Sequence, residues 1–398
     1  MDKNKDRKWN RVSNIITLAL VFLLLISPVV KSFLSPDYLV ETENRLAQRI
    51  TAPTLTALWQ GEYQSRLESA LTDQFPKSET VKKNYNSITK KLLKAVLDPT
   101  LASSQNRYVA FDSLHVFDEE FLVYQPTDLS SRTEKLTARA ENINKHIAQN
   151  PQVNFFVYYV EKDNDVNFET GERTGDFEYL ASLLQLDESR IDRFEIQDFT
   201  QYQNYFYRTD HHWNHLGAYK AYTEIMTLLG NYIVLSPTEE VQIATNFAGS
   251  KSKQVGATDV FYEDFFAYRY DYPMLFTTIN GAQASQYGNE SAYQDGTATA
   301  PLTYASYYGD DHGEVVISTI RAGRGNLLLL GESYDNALLN LLASSHSNTY
   351  SVDLRHYERE MGHPFNLSAY VQEHEITQVL FIGSNSFFTM EEFNLGDF

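Results

Sequence analysis

Cysteine is absent from this 398-residue chain, which excludes disulfides, thiolate-held zinc and cysteine nucleophiles together. The absence leaves the compartment open, because exported proteins also fold without disulfides. Positive charge is scarce: 33 bases face 52 acids, for a formal net charge of −19. So acidic a body repels phosphate backbones, and nucleic acid is not an expected partner. No internal repeat and no low-complexity segment is visible. At 42% hydrophobic and 21% charged residues the composition is that of a folded globular protein, which rules out wholesale disorder and collagen-like structure. The length allows two or three domains, or one large α/β domain. Tyr and Phe are plentiful, 27 and 24, and serve strand-rich packing or sugar binding equally well.

The first eleven residues run against the acidic trend. Lys3, Lys5, Arg7, Lys8 and Arg11 oppose only Asp2 and Asp6, a local +3 that leaves −22 on the rest. An uncharged run from Ser13 to Val30 follows, long enough at ~1.5 Å per residue to nearly cross a bilayer core of ~30 Å. Bases before the run and an acidic body after it predict a cytoplasmic N-terminus and an extracellular bulk. No small-x-small cleavage site follows, and Pro28, Val29 and Val30 extend the run, so an uncleaved single-pass anchor is expected rather than a signal peptide. The expected organisation is a tail over 1–12, a transmembrane anchor over 13–34 and a membrane-proximal helical segment over 35–100. A catalytic domain over 101–398 completes it, interrupted by an insertion at about 238–325.

From about residue 130 helical and strand patterns alternate. Ser131–Asn150, Asp176–Leu186 and Leu216–Leu229 read as helices, the last closed by Gly230. Val153–Val160, Ile191–Ile196, Leu327–Leu330, Tyr350–Leu354 and Val379–Gly383 read as strands, and the Leu327 strand is expected to lead into a helix from Tyr334 to Ala343. The fold class is therefore α/β, a mostly parallel sheet with helices on both faces, where chemistry collects at the carboxyl ends of the strands. The insertion is aromatic-rich. Eight of the sixteen residues Phe261–Phe276 are aromatic, and Phe266, Tyr268, Tyr270 and Tyr272 recur at period two, so they share one face of a strand. That face either packs half-buried in a sheet or forms a platform for stacking sugars beside the active site.

Two motifs carry chemistry. In Tyr207-Arg-Thr-Asp-His-His-Trp-Asn-His215 three of the ten histidines fall within five positions, just before a helix. Asp210 and His212 are close enough for the carboxylate to accept the imidazole Nδ1 proton, which fixes the tautomer and leaves Nε2 free as a base. The plain alternative is an N-capping Asp210 beside surface histidines. In the second motif, Gly331-Glu-Ser-Tyr-Asp-Asn-Ala337, a serine stands between strand and helix. A helix N-terminus there would offer amide donors to a developing oxyanion, while the plain alternative has Ser333 merely capping its own helix. Together, Ser333, His212 and Asp210 supply the nucleophile, base and orienter that covalent acyl transfer requires.

Thr209-Asp-His-His-Trp-Asn214 with Gly217-Ala-Tyr219 resembles the signature of the bacterial DHHW protein family. That family in turn resembles the alginate O-acetylation proteins of the SGNH-hydrolase-like superfamily. Further matching segments are Glu43-Asn-Arg45, Gly61-Glu-Tyr63, Asp73-Gln-Phe-Pro76, Gly249-Ser-Lys-Ser-Lys253 and Val352-Asp-Leu-Arg-His-Tyr357. The resemblance implies an SGNH-like fold with a triad that maps onto Ser333, His212 and Asp210. The family's serine segment usually reads Asp-Ser-Tyr; here Glu332 stands in place of the Asp, with the charge retained. It further implies an extracytoplasmic O-acyltransferase, with acetyl as the expected group, that passes an acyl group from a donor to a polysaccharide acceptor. A membrane-bound O-acyltransferase would be its partner, and no cofactor or metal is called for.

Asn385, Arg355, Tyr334 and His211 complete the candidates for oxyanion or substrate contacts. Asn385 also fits a turn, Arg355 a structural ion pair and His211 a supporting role beside the triad, while Trp213 fits packing. The same cluster admits other readings. With water as acceptor the triad makes a carbohydrate esterase. Asp210, His211 and His215 could instead ligate zinc, although no glutamate base lies between the histidines. A surface glycan-binding module without catalysis would rely on the aromatic region alone.

Overall fold

The computed structural model describes residues 3–34, 62–75 and 107–393 apart from 119, 232, 321 and 322, with scattered residues between 39 and 88. Most of the Lys-rich stretch 77–94, and Glu43 and Asn44 of the first matching segment, lie outside the described residues. The chain divides into two compact units. One comprises Met1–Thr100 with Lys253–Val260, and the other Leu101–Ser252 with Phe261–Phe398. In the first unit, α1 spans Lys3–Leu34 and α2 spans Glu62–Gln74. Within α1, Asn14–Leu34 is long and apolar enough to cross a membrane.

Strands β1 (Leu39–Val40) and β2 (Arg45–Leu46) form a minimal antiparallel pair. The second unit opens with a three-stranded meander of β3 (Val109–Phe111), β4 (Leu114–Phe117) and β5 (Phe121–Val123). Then come α3 (Thr133–Gln149), β6 (Asn154–Val160), α4 (Asp176–Leu183), β7 (Ile191–Phe194), α5 (Phe199–Tyr205) and α6 (His215–Leu228). A two-stranded ribbon, β8 (Glu239–Phe247) with β9 (Glu263–Arg269), encloses the short α7 (Ser250–Gln254). The chain continues through β10 (Leu275–Ile279), β11 (Ala282–Ala284), α8 (Glu290–Gln294), α9 (Tyr304–Tyr308), β12 (Glu314–Thr319) and β13 (Asn326–Gly331). It closes with α10 (Leu339–Ala343), β14 (Asn348–Val352), α11 (Leu354–Met361), α12 (Leu367–Glu373), β15 (Gln378–Gly383) and α13 (Asn385–Thr389).

The central sheet has eight strands in the order β11-β10-β12-β14-β13-β15-β6-β7. From β14 to β7 every pair is parallel; from β11 to β14 every pair is antiparallel. The fold is thus mixed α/β with a large sheet, parallel through its middle, and part of the expected insertion supplies the antiparallel edge. Period-two alternation explains why helices cover both faces. Phe156, Tyr158, Leu329 and Ile382 point into one core with the Ala221–Ile225 face of α6 and Leu339–Leu342 of α10. Their neighbours Phe155, Val157, Leu330 and Phe381 point into a second core with Leu136 and Ile143 of α3, Val371 of α12 and Phe387 of α13. Runs such as Leu327–Leu330 are continuously apolar because each residue is buried on one side or the other.

One expected element is shorter than its pattern suggests. The helix read from Tyr334 to Ala343 begins only at Leu339, and residues 333–338 form successive turns. Asp335 accepts from Ser351 Oγ at 3.0 Å and Asn336 donates to Asp311 at 2.9 Å, so polar side chains are used across the fold at the expense of local helix. The helix dipole therefore cannot serve Ser333.

Gly331, at the carboxyl end of β13, is required by packing. A Cβ there would lie 2.9 Å from Asp335 Oδ2 and from the Ile382 carbonyl oxygen. Gly331→Ala is expected to destabilise the protein by ~1–3 kcal/mol, read as a lower urea midpoint with an unchanged slope.

Candidate active site

The loop carrying the histidines is closed at its base by an isolated antiparallel bridge between Phe206 and Trp213. Tyr207 N donates to His212 O at 3.2 Å and Asn214 N to Tyr205 O at 2.8 Å, so residues 207–212 form a tight excursion. Asn214, not Asp210, caps α6: its Oδ1 accepts from Leu216 N and Gly217 N at 2.9 and 3.1 Å. Asp210 is thereby free for another task. Thr209 and Arg208 are held from outside the loop by Glu263, which accepts from Thr209 N at 2.8 Å and Arg208 N at 3.1 Å.

The Asp210 carboxylate, only 3% exposed, accepts from His212 Nδ1 at 2.6 Å through Oδ1 and from Ser250 N at 2.7 Å through Oδ2. Burial would raise its pKa. The His212 ring, through charge and hydrogen bond, and the His211 ring and Ser250 amide outweigh that penalty and hold Asp210 well below the usual carboxylate range. The other face of the relay is His212 Nε2, 2.7 Å from Ser333 Oγ. Ser333 stands just past the carboxyl end of β13 in the middle of the parallel strands, and it is partly exposed where its neighbours are buried. Asp210, His212 and Ser333, drawn from distant parts of the chain, thus form one hydrogen-bonded series ending at a reachable hydroxyl. With the Nδ1 proton on Asp210's side, Nε2 can accept the Ser333 proton, which is the arrangement nucleophilic catalysis by a hydroxyl needs. Ser333 caps no helix.

Several further residues support the site. Tyr304 of α9 stacks face-on to His212, with ring centroids 3.7 Å apart and planes within 3°. Glu332 accepts from Ser384 N and Ser384 Oγ, both at 2.6 Å, and so ties the serine turn to the end of β15. Lys251, fully buried, pairs with Asp163 at 2.5 Å and also donates to Tyr202 OH at 3.0 Å. Burial pushes the Lys251 ammonium down, opposed by Asp163. The pair joins the loop after β6 to the residue following Ser250. Gly249 closes the same corner, because a Cβ there would meet Asp210 Cβ at 2.5 Å.

The remaining candidates have partners of their own. His211 Nδ1 lies 2.6 Å from Ser250 Oγ, and burial and then the neighbouring His212 push its pKa down. Tyr334, 1% exposed, donates its hydroxyl to the His211 carbonyl and packs edge-on against Trp213. Trp213 is fully buried. Arg355 forms ion pairs with Asp311 at 2.6 Å and Asp353 at 2.5 Å, the structural pairing foreseen as its plain alternative. Asn385 begins α13 after its cap Ser384, and its Oδ1 accepts from Asn164 Nδ2 at 3.1 Å. For the zinc reading, Asp210, His211 and His212 do cluster, but His215 turns to Glu240, 2.6 Å from its Nε2. With Nδ1 of His211 and His212 already hydrogen-bonded, the expected His211–His215 ligand pair is not assembled.

Residues 164–352, which include Asp210 and Ser333, match the DHHW protein family. Among solved structures, a DHHW family protein from Eubacterium siraeum aligns over 71% of this chain and 93% of its own, with 17% identity and a TM-score of 0.56. Bacillus cereus PatB1, determined with a sulfonyl adduct, aligns over 71% of this chain and 97% of its own, with 21% identity and a TM-score of 0.54. At these identities the likeness is one of fold. No protein of curated function matches the chain.

Removing Lys251 leaves Asp163 charged and buried without its partner. Lys251→Met is expected to cost ~3–5 kcal/mol in chemical denaturation, far more than an exposed lysine such as Lys145 would.

Proposed function

We propose that this protein is a membrane-anchored, extracytoplasmic O-acyltransferase of SGNH-hydrolase-like fold that acylates a polysaccharide, acetyl being the expected group. The observation that carries the reading is the unbroken series from Ser333 Oγ through His212 to Asp210, at 2.7 and 2.6 Å. In the first half-reaction His212 Nε2 takes the Ser333 proton as Oγ attacks the donor's acyl carbonyl. The tetrahedral intermediate then expels the donor's leaving group, which receives that proton, and the acyl group stays on Ser333. In the second, a sugar hydroxyl gives its proton to His212 as its oxygen attacks the acyl-serine. Collapse returns the proton to Ser333 Oγ and releases the acylated sugar. Asp210 keeps His212 in the right tautomer and stabilises the transient imidazolium.

Basic residues ahead of Asn14–Leu34 favour a cytoplasmic N-terminus, with the catalytic unit outside the cell. The DHHW resemblance supports a polysaccharide acceptor and a membrane-bound O-acyltransferase partner that delivers the acyl group. With water in place of the sugar hydroxyl the same steps make an esterase, so acceptor competition belongs in any assay.

A sulfonyl fluoride reagent tests the nucleophile directly. Wild type is expected to be sulfonylated at Ser333, located by peptide mass spectrometry, and Ser333→Ala to remain unlabelled; labelling elsewhere, or none, overturns the assignment. Asp210→Asn should lower acyl-ester turnover by about 10⁴-fold, the scale seen when an orienting carboxylate is replaced in other Ser-His-Asp enzymes.

A further inference from the structure

The four aromatic residues at period two do not share one environment. Phe266 and Tyr268 belong to β9 and pack on the His215 ring at centroid distances of 6.1 and 4.8 Å. Strand β9 ends at Arg269, and beyond it Tyr270 and Tyr272 line a cavity of about 160 Å³. A space of that size admits one six-membered ring rather than a length of chain. The two rings are half-buried, with centroids 5.5 Å apart and planes 40° from parallel, so they present an aromatic wall.

The polar lining has unused capacity. Among the described residues the Glu290 carboxylate is held only by long hydrogen bonds, from Tyr272 OH at 3.2 Å and from Asn340 Nδ2 at 3.3 Å. A carboxylate has about four lone-pair sites, so acceptor positions remain for an incoming hydroxyl. Burial pushes the Glu290 carboxyl up to about 7, so near neutrality it can donate as well as accept, and the cavity has little net charge with which to select a cation. An aromatic wall with a few convergent polar groups is the usual make-up of a small-ligand site.

The cavity is wired to the triad through two routes. Tyr287, also in the lining, donates its hydroxyl to Asn336 at 2.6 Å, three residues beyond Ser333. Helix α9 stacks Tyr304 on His212, and its Tyr307 hydroxyl accepts at 2.8 Å from Gln294 of the cavity wall.

We infer that this cavity is a sugar subsite, apart from the triad, that holds one neutral pyranose unit, with Tyr270 and Tyr272 as the stacking wall and Glu290 and Asn340 as hydroxyl partners. That the sugar belongs to the acceptor glycan rests on the proposed acyl transfer; the binding itself does not.

Isothermal titration of the full chain in detergent with chitotetraose and cellotetraose tests it. Wild type is expected to bind at least one of the two. Tyr272→Ala should weaken that binding by roughly tenfold, Glu290→Gln should weaken it measurably, and Ser333→Ala should bind as wild type does. Each variant's thermal midpoint is recorded, and if Tyr272→Ala is unfolded Glu290→Gln alone decides. Absence of binding by wild type, or equal affinity in folded variants, overturns the subsite. Sulfonyl fluoride labelling of the same samples separates the two claims: labelled Ser333 without sugar binding removes the subsite and keeps the nucleophile, and sugar binding without labelling does the opposite.

Discussion

The buried pair between Lys251 and Asp163 is the constraint on which the geometry at Ser333 depends. Neither charge reaches solvent, so each is tolerable only while the other is in place. Asp163 lies just past β6 and Lys251 in the short α7, and the bond therefore fixes a segment from the β8–β9 ribbon against the carboxyl end of the sheet. Ser250, next in sequence to Lys251, then presents its amide to Asp210 Oδ2. The Asp210 carboxylate is thus held through both oxygens, Oδ1 by His212 and Oδ2 by Ser250. A hydrogen-bonded series this short needs support outside its own three groups to hold its members in place.

A second support acts on Ser333. Glu332 reaches across to Ser384 at the end of β15, and Gly331 leaves no room for a side chain at the strand end. Between them they set where the turn leaves the sheet. What positions Ser333 is tertiary anchoring on both flanks, with successive turns and no helix behind it.

The parallel strands were legible in the sequence because Phe155–Val160, Leu327–Leu330 and Val379–Ile382 are apolar at every position, a pattern forced by burial on both faces. The pairing of Asp210 with His212 was legible because it is local. The placement of Ser333 followed from its position after such a strand. Tyr304, Glu263 and Ser384 were not legible as site residues: each contributes through contacts with segments tens of residues away. The over-long helix after Ser333 failed for a related reason, since Asp335 and Asn336 spend their polarity on Ser351, Asp311 and Tyr287. The aromatic face divided where β9 ends, and period two could say which rings align but not where pairing stops.

Tyr304 covers one face of His212 at van der Waals distance, with Tyr334 edge-on beside the same ring. An imidazole clamped in this way has little freedom to rotate. The stacking of one tyrosine thereby fixes where Nε2 points, and any group that exchanges a proton with it must come to that one place beside Ser333.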